Sequence, residues 1–363
     1  MGDHAPHIPI SAQESKLNVL IVCNRFVREH YLSPRDIERL ERIAEWHWIE
    51  TNGAHGFQPN DQPEHIAALR QALPTADAVI VCHGAPRIDA TLMACAPRLR
   101  FLGELEGDRF GYRLDVEAAW QRGIRTIDTT NGSSYPVAEW ALALILIALR
   151  NAGEQFRHMT APETYRRPDD DFGYLHGELF GKTVGLIGCG HIGRRLLSFL
   201  APFHCRILVY DPYQPRELAD ALGFTQTSLE RVFIHSDAVV CLAPLTPRTR
   251  RMIGQHELDL LRPGSVFVNV SRGAIVDSAA LLARLERDDI VAALDVFDPE
   301  PIPADHPIKR LHNVFLTPHI AGVTLASRTR FFSLMVDELE RFTHGDETLF
   351  DLLPRTLANR QGV

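Results

Sequence analysis

Lys182-Thr-Val-Gly-Leu-Ile-Gly188-Cys-Gly190-His-Ile-Gly193-Arg-Arg-Leu-Leu197 reads as a short apolar strand, a G-x-G-x-x-G turn and the start of a helix. Each glycine has a physical role in that setting. Gly188 makes the tight turn, Gly190 lets the backbone approach a pyrophosphate, and Gly193 lets the helix pack close to the strand. The pyrophosphate then sits on the helix N-terminus, where free N–H groups and the helix dipole favour an anion. A second strand, Arg206-Ile-Leu-Val-Tyr210, ends in Asp211, 18 residues past Gly193. That is close to the ~20 expected for a ribose-binding carboxylate. Such a carboxylate repels a 2′-phosphate, so the expected cofactor is NAD rather than NADP. The competing reading of Asp211 is a helix N-cap before Pro212.

Outward from this motif, strands and helices alternate. Downstream, the alternation runs from Thr183 to Leu316. Upstream, Leu17 to Cys23 and Ala78 to Cys82 are apolar runs suited to buried parallel strands. Ser33-Pro34 starts a helix in which Ile37, Leu40, Ile43 and Ala44 follow at helical spacing. Ile88–Ala96 and Val116–Arg122 are further expected helices, and Leu99–Leu102 and Ile124–Ile127 further strands. This pattern argues for parallel sheets with helices on both faces. Asn151 to Gly181, with Pro162, Pro168 and the acidic run Asp169-Asp170-Asp171, reads as a connector and a solvated surface. The sharpest composition shift lies near 135–181, where the chain is expected to cross between two domains. Ala326 to Thr343 reads as an amphipathic helix packed on one of them.

The chain has 363 residues, enough for two domains, and 45% hydrophobic with 23% charged residues is ordinary for a globular protein. A net charge of −8 argues against a general nucleic-acid binder. Six scattered cysteines without a C-x-x-C pair suit reduced thiols in a cytoplasmic protein, not a disulfide framework or a zinc site, and no metal is expected. Met1 to Ser15 lacks the basic-then-apolar order of a signal peptide and reads as a floppy leader. The apolar run Trp140–Leu149 makes only ~15 Å of helix, half of a bilayer core, so it reads as a buried helix at a domain or subunit boundary. Its greasiness points to a homodimer.

Three charged groups leave strand ends downstream. Ser271-Arg272-Gly273 follows Val266–Val270. Asp298-Pro-Glu300-Pro301 follows the strand around Asp295, and His319 follows Val314–Leu316. Ligands of open α/β sheets bind at such carboxyl ends. An arginine fork grips a carboxylate or polarises a carbonyl. A histidine moves a hydroxyl proton near neutral pH, and a carboxylate beside it keeps it protonated when an acid is needed. The set suits hydride transfer at a hydroxy-acid carbon.

With these residues in order, the chain resembles the D-isomer-specific 2-hydroxyacid dehydrogenase family. The resemblance rests on Gly188-x-Gly190-x-x-Gly193, Pro244-Leu-Thr-Pro-x-Thr249 and Asn269-Val-Ser-Arg272-Gly-x-x-x-Asp277. It continues through Leu294-Asp295-Val-Phe-x-x-Glu300-Pro301 and Thr317-Pro-His319-x-Ala-Gly322, and covers about 137–322. It implies an α/β fold of two Rossmann-like domains with parallel sheets. The substrate domain would be discontinuous (1–134 and 323–363), the NAD-binding domain would span 135–322, and the active-site cleft would lie between them. It implies Arg272 binding substrate, His319 as acid/base and Glu300 paired with His319. Gly188, Gly190, His191, Ile192, Gly193, Asp211, Ala243, Pro244, Thr249, Val270, Ser271, Arg272, Asp295, His319 and Gly322 would line the NAD site, with Asp295 at the nicotinamide end. Homodimers in the family commonly form through the helix that here starts near Pro136. The partner implied is a small 2-hydroxy or 2-oxo acid, with no nucleic acid and no membrane.

Two readings compete within the same fold. One is an oxidoreductase, and the other is an NAD-sensing, corepressor-like interaction module. The short flanking tails favour the enzyme. The chain departs from the family at Gly103-Glu-Leu-Glu-Gly107-Asp-Arg109-Phe-Gly111-Tyr-Arg113-Leu-Asp115, about two residues longer than the usual glycine-rich substrate loop. Glu104, Glu106 and Asp108 there disfavour an anion, whereas Arg109 and Arg113 favour one. The upstream loop His83-Gly-Ala-Pro86 is also unusual. A bulkier or differently charged 2-oxo acid is the expectation.

Overall fold

The computed structural model describes residues 16–53, 56–160, 177–322 and 324–362. The leader and the acidic run Asp169–Asp171 lie outside them. The chain divides into two compact units, Met1–Ser133 with Leu325–Val363, and Ser134–Thr324.

The first unit opens with β1 (Leu17–Asn24), α1 (Arg25–Tyr31), α2 (Pro34–Ile43), β2 (Ala44–Thr51), α3 (Pro63–Ala72) and β3 (Ala78–Val81). It continues with α4 (Ala90–Ala94), β4 (Phe101–Glu104), α5 (Val116–Gln121) and β5 (Arg125–Asp128). The second unit begins with α6 (Ser134–Leu149), α7 (Ala152–Thr160), β6 (Thr183–Ile187), α8 (His191–Leu200), β7 (Arg206–Tyr210), α9 (Arg216–Leu222) and β8 (Thr225–Gln226). After these come α10 (Leu229–His235), β9 (Ala238–Cys241), α11 (Gln255–Asp259), β10 (Val266–Asn269), α12 (Ser278–Leu285), β11 (Val291–Leu294) and β12 (Val314–Leu316). The chain then returns to the first unit as α13 (Leu325–His344) and α14 (Pro354–Gln361).

Among the described residues every pair of strands is parallel, with one isolated antiparallel bridge at Ile127 and Asp351. The first sheet has the order β2-β1-β3-β4-β5 and the second β12-β11-β10-β9-β6-β7-β8. Strand order therefore reverses between β1 and β3 in one unit and between β6 and β9 in the other. These are the topological switch points beside which ligands bind. The central strands β3, β9, β10 and β11, apolar but for Asn269 at the end of β10, are buried on both faces, as parallel strands must be.

Several local readings are corrected. Ala44 is not the last residue of a helix. Ser33 caps α2 through Asp36 N–H, and Ala44 opens the edge strand β2. Asn24 caps a further helix, α1, by accepting from Val27 N–H at 3.0 Å. The expected helix over Ile88–Ala96 contracts to α4, which Asp89 caps. The start of the supposed connector is the helix α7. The apolar helix is also longer than ten residues. With the preceding turn it runs from Thr130 to Leu149, 20 residues at mean hydropathy 1.5, so by length and composition alone it could span a bilayer. Its burial gives the other account. Ala138, Ala141, Leu144, Ile145 and Ala148 pack into the core of the second unit, and α6 lies against α8 and β10 to β12. Helix α13 completes the first unit by laying Phe331, Phe332, Met335, Val336 and Leu339 into its core beside α1 and α2. All six cysteines are free, and burial pushes the Cys23 and Cys241 thiols up to about 12.

Candidate active site

The glycine turn after β6 sits at the switch point of the second unit. Gly188 has φ +96°, and a Cβ there would come within 2.9 Å of the Ala243 backbone nitrogen on the loop after β9. Only glycine satisfies both the angle and the approach. A Cβ at Gly193 would meet Gly188 O at 2.9 Å, which keeps α8 close to the strand. At Gly190, the N-cap of α8, a Cβ would meet nothing within 4 Å, so the space over the first N–H groups of the helix is open. His191 and Ile192 are the first two residues of that helix. Asp211, at the end of β7, does not cap a helix, because α9 starts only at Arg216. Its Oδ2 accepts from Cys189 N–H at 2.8 Å and its Oδ1 from Tyr213 N–H at 3.0 Å, which ties the acid to the glycine turn. A carboxylate has about four lone-pair sites, so ribose hydroxyls can still be accepted. These residues fit a dinucleotide.

The loops after β9 and β10 are braced. Thr249 Oγ1 donates to Pro244 O at 2.6 Å and accepts from Thr246 N–H at 2.8 Å. Ser271 Oγ donates to Ala243 O, joining the two loops. Buried Asn269 turns the chain out of β10. Its Oδ1 accepts from Ser271 N–H at 3.0 Å, and its Nδ2 donates to Arg272 O at 3.2 Å. Half-buried Arg272 leaves this turn with extended backbone, and its Nη1 donates to Ser271 O at 2.7 Å.

Glu300 and His319 meet. His319 Nδ1 lies 2.5 Å from Glu300 Oε1, and both side chains are partly exposed. With an ionised Glu300 as acceptor, Nδ1 carries the hydrogen and Nε2 is left as the ring's other proton-exchanging atom. His319 holds φ +55°, a conformation that a non-glycine residue adopts only when its surroundings enforce it. Asp295 does the enforcing. It is fully buried, its carbonyl accepts from His319 N–H at 2.9 Å, and its Oδ1 accepts from Thr317 Oγ1 at 2.6 Å and Ile320 N–H at 3.0 Å. Its Oδ2 accepts from Ala321 N–H at 2.9 Å, next to Gly322. The carboxylate is thus wrapped by the 317–321 turn. Trp140 Nε1 on α6 donates to Thr317 Oγ1 at 3.3 Å, a support absent from the motif pattern.

The unusual loop of the first unit spends most of its charge internally. Arg113 and Glu104 are both fully buried and pair at 3.0 Å. Arg109 donates to the Asp128 and Asp351 carbonyls, and Arg360 donates to the Asp108 carbonyl. Gly107 is required because a Cβ there would collide with the Glu104 and Asp128 carboxylates. Burial, opposed by Arg113 and aided by the neighbouring Asp128, pushes Glu104 up to about 7. Glu104 Oε2 has no hydrogen-bond partner. The folded state therefore holds a proton more tightly than the unfolded chain. That stabilisation is complete below the unfolded value of ~4.3 and is lost as pH rises through about 7. Thermal unfolding of Glu104→Gln from pH 5 to 8 should accordingly show a flatter decline of Tm than the parent. Identical slopes would mean that Glu104 does not titrate there.

Known proteins show which family the chain belongs to. Residues 142–321 match the family described as "D-isomer specific 2-hydroxyacid dehydrogenase, NAD binding domain". A glyoxylate reductase of Aeropyrum pernix is 34% identical over 330 residues, 90% of this chain and 94% of that protein. The chain belongs to the D-isomer-specific 2-hydroxyacid dehydrogenase family. A D-3-phosphoglycerate dehydrogenase of Methanocaldococcus jannaschii is 32% identical over 77% of this chain and 52% of its own length. The solved phosphoglycerate oxidoreductase of Rhizobium etli superposes with a TM-score of 0.79 at 23% identity, over 93% of this chain and 97% of that one, a likeness of fold. As a member of this family, the chain is an NAD-dependent 2-hydroxyacid dehydrogenase.

Proposed function

We propose that this enzyme reduces a 2-oxo acid to the D-2-hydroxy acid, with Arg272 binding the substrate carboxylate or carbonyl, His319 supplying the proton and Glu300 orienting His319. The observation that carries this reading is the 2.5 Å His319–Glu300 contact on a turn built around Asp295. NADH supplies the hydride when bound, and the carbonyl oxygen takes its proton from His319 Nε2. Charge developing on that oxygen is met by the Arg272 guanidinium, a planar donor fork that cannot lose its proton. The glycine turn and Asp211 hold the dinucleotide, and Ala243 to Thr249 and Val270 to Arg272 flank it. Leu142, Leu146 and Ile147 of α6, partly buried in the single chain, are the surface for a homodimer.

The test is a panel of 2-oxo acids with NADH, followed by loss of nicotinamide absorbance. Turnover of at least one supports the reading, and turnover of none rejects it. Cofactor choice gives a second measurement. Asp211 repels a 2′-phosphate and accepts from ribose hydroxyls, together a few kcal/mol at ~1.4 kcal/mol per tenfold. The parent should prefer NADH over NADPH by roughly a hundredfold or more in kcat/KM, and Asp211→Ala should narrow that ratio by about tenfold. Equal use of both cofactors by the parent would reject the role.

A further inference from the structure

The turn that carries His319 lies at the surface, and its own packing does not hold it. Pro318 is exposed, Ile320 is 44% exposed, and Ala321 is the buried side chain of the turn. Hydrogen bonds to Asp295 fix it instead, and the sequence limits how they are made. Beyond His319 the backbone supplies them, from Ile320 N–H and Ala321 N–H to the two carboxylate oxygens. Before His319 the backbone has none to give. Thr317 N–H is taken by Leu294 O at 2.9 Å, and Pro318 has no N–H. The Thr317 hydroxyl fills that gap by donating to Asp295 Oδ1 at 2.6 Å.

A hydroxyl carries one hydrogen and two lone pairs, and it rotates to suit its neighbours. Trp140 Nε1 lies 3.3 Å from Thr317 Oγ1, and an indole N–H can only donate. It therefore takes a lone pair of Oγ1 and leaves the hydroxyl hydrogen for the carboxylate. Trp140 stands on α6, which packs on β10, β11 and β12, and its half-buried indole lies against the core of the second unit. A rigid element so placed holds a side chain more closely than a surface turn holds itself. We propose that Trp140 is a positioning residue for His319: its N–H fixes the Thr317 hydroxyl on Asp295, and through it the turn from which the imidazole projects. The inference rests on the reading of His319 as the proton donor. All of the residues that carry it belong to the second unit.

Pyruvate, hydroxypyruvate and 2-oxobutanoate serve as probes, and the one the parent reduces fastest is carried forward. Stopped-flow measures the single-turnover rate of NADH oxidation at saturating probe, steady-state kinetics KM, fluorescence titration NADH affinity, and thermal unfolding stability. Trp140→Phe keeps an aromatic ring and removes the donor. It should slow the single-turnover rate by about threefold to tenfold, the worth of one neutral hydrogen bond, with KM and NADH affinity within about twofold of the parent. A residue that merely filled space would change stability and leave the rate alone. Thr317→Val keeps the shape, takes a donor from buried Asp295 as well, and should slow the rate by roughly tenfold to a hundredfold. Thr317→Ser restores the hydroxyl and most of the rate. The double variant should be no slower than Thr317→Val, because the indole then has nothing to fix. If Thr317→Val does not fold, Trp140→Phe decides alone. An unchanged rate in Trp140→Phe, a loss confined to KM or NADH affinity, or a double variant slower than Thr317→Val by the full Trp140→Phe factor overturns the proposal. His319→Ala in the same assay separates the two readings. A strong loss there leaves the proton-donor reading standing whatever Trp140→Phe does, whereas a parent-like rate, or reduction of none of the probes by the parent, overturns both.

Discussion

His319→Ala lowers kcat for 2-oxo acid reduction by about 10²–10⁴-fold, the usual worth of a positioned general acid, and leaves NADH affinity nearly intact. The two readouts divide because, in the chemistry we propose, His319 donates to the reacting oxygen while the glycine turn and Asp211 hold the dinucleotide. His319 also stands on a turn whose shape comes from Asp295, through bonds to Thr317, Ile320 and Ala321 that the substitution does not touch. The backbone at this position is left-handed for histidine and alanine alike, and the bonds from Asp295 that hold the turn are kept, so the variant chiefly removes the imidazole. Steady-state kinetics with fluorescence titration of NADH measure both effects. A variant that keeps more than a few per cent of the rate would remove His319 from the proton-transfer role.

Arg272→Ala raises KM for the 2-oxo acid and lowers kcat/KM by roughly 10²–10³-fold, the loss expected when a charged hydrogen-bonding partner is removed from an anionic substrate. Arg272→Lys recovers only part of this, since an ammonium is a point charge without the planar fork. Asn269 fixes the carbonyl of residue 272 whatever its side chain, so the loop geometry survives both changes. Kinetics of the two variants against one 2-oxo acid are sufficient, and a KM unchanged in Arg272→Ala rejects substrate binding by this residue.

The second unit was the more legible in sequence, for a physical reason. Its central strands are buried on both faces and read as apolar runs, while its edge strand β8, Thr225–Gln226, is exposed and carries no such signal. Gly188 and Gly193 are demanded by close backbone approaches. Strand β2, Ala-Glu-Trp-His-Trp-Ile-Glu-Thr, was missed because it is an edge strand with Glu45 and Glu50 exposed. Its mixed composition carries no two-sided burial signal, and Ala44 fits the helical spacing of α2 equally well. In the loop at 103–115 the charges were visible but their partners were not. Glu104 and Arg113 lie nine residues apart and meet only because the turn at Gly107 folds them together. Arg109 and Asp108 find partners near the C-terminus, at Asp351 and Arg360. Local sequence does not encode such contacts, so they emerge only from the folded chain.

The return of α13 to the first unit has a consequence for how the chain is made. Ser133 leaves the ribosome long before Leu325, with the whole second unit between them. At ~5–20 residues per second that interval is about 10–40 s. Throughout it, the nascent first unit lacks the helix that carries Phe331, Phe332, Met335 and Leu339, so the apolar surface of α1 and α2 that they cover stays open to water or to a chaperone. The second unit has no such wait, since its sheet and α6 are contiguous in sequence. Synthesis thus favours an order in which the later-encoded unit is finished first, and the earlier one closes around α13 when it emerges.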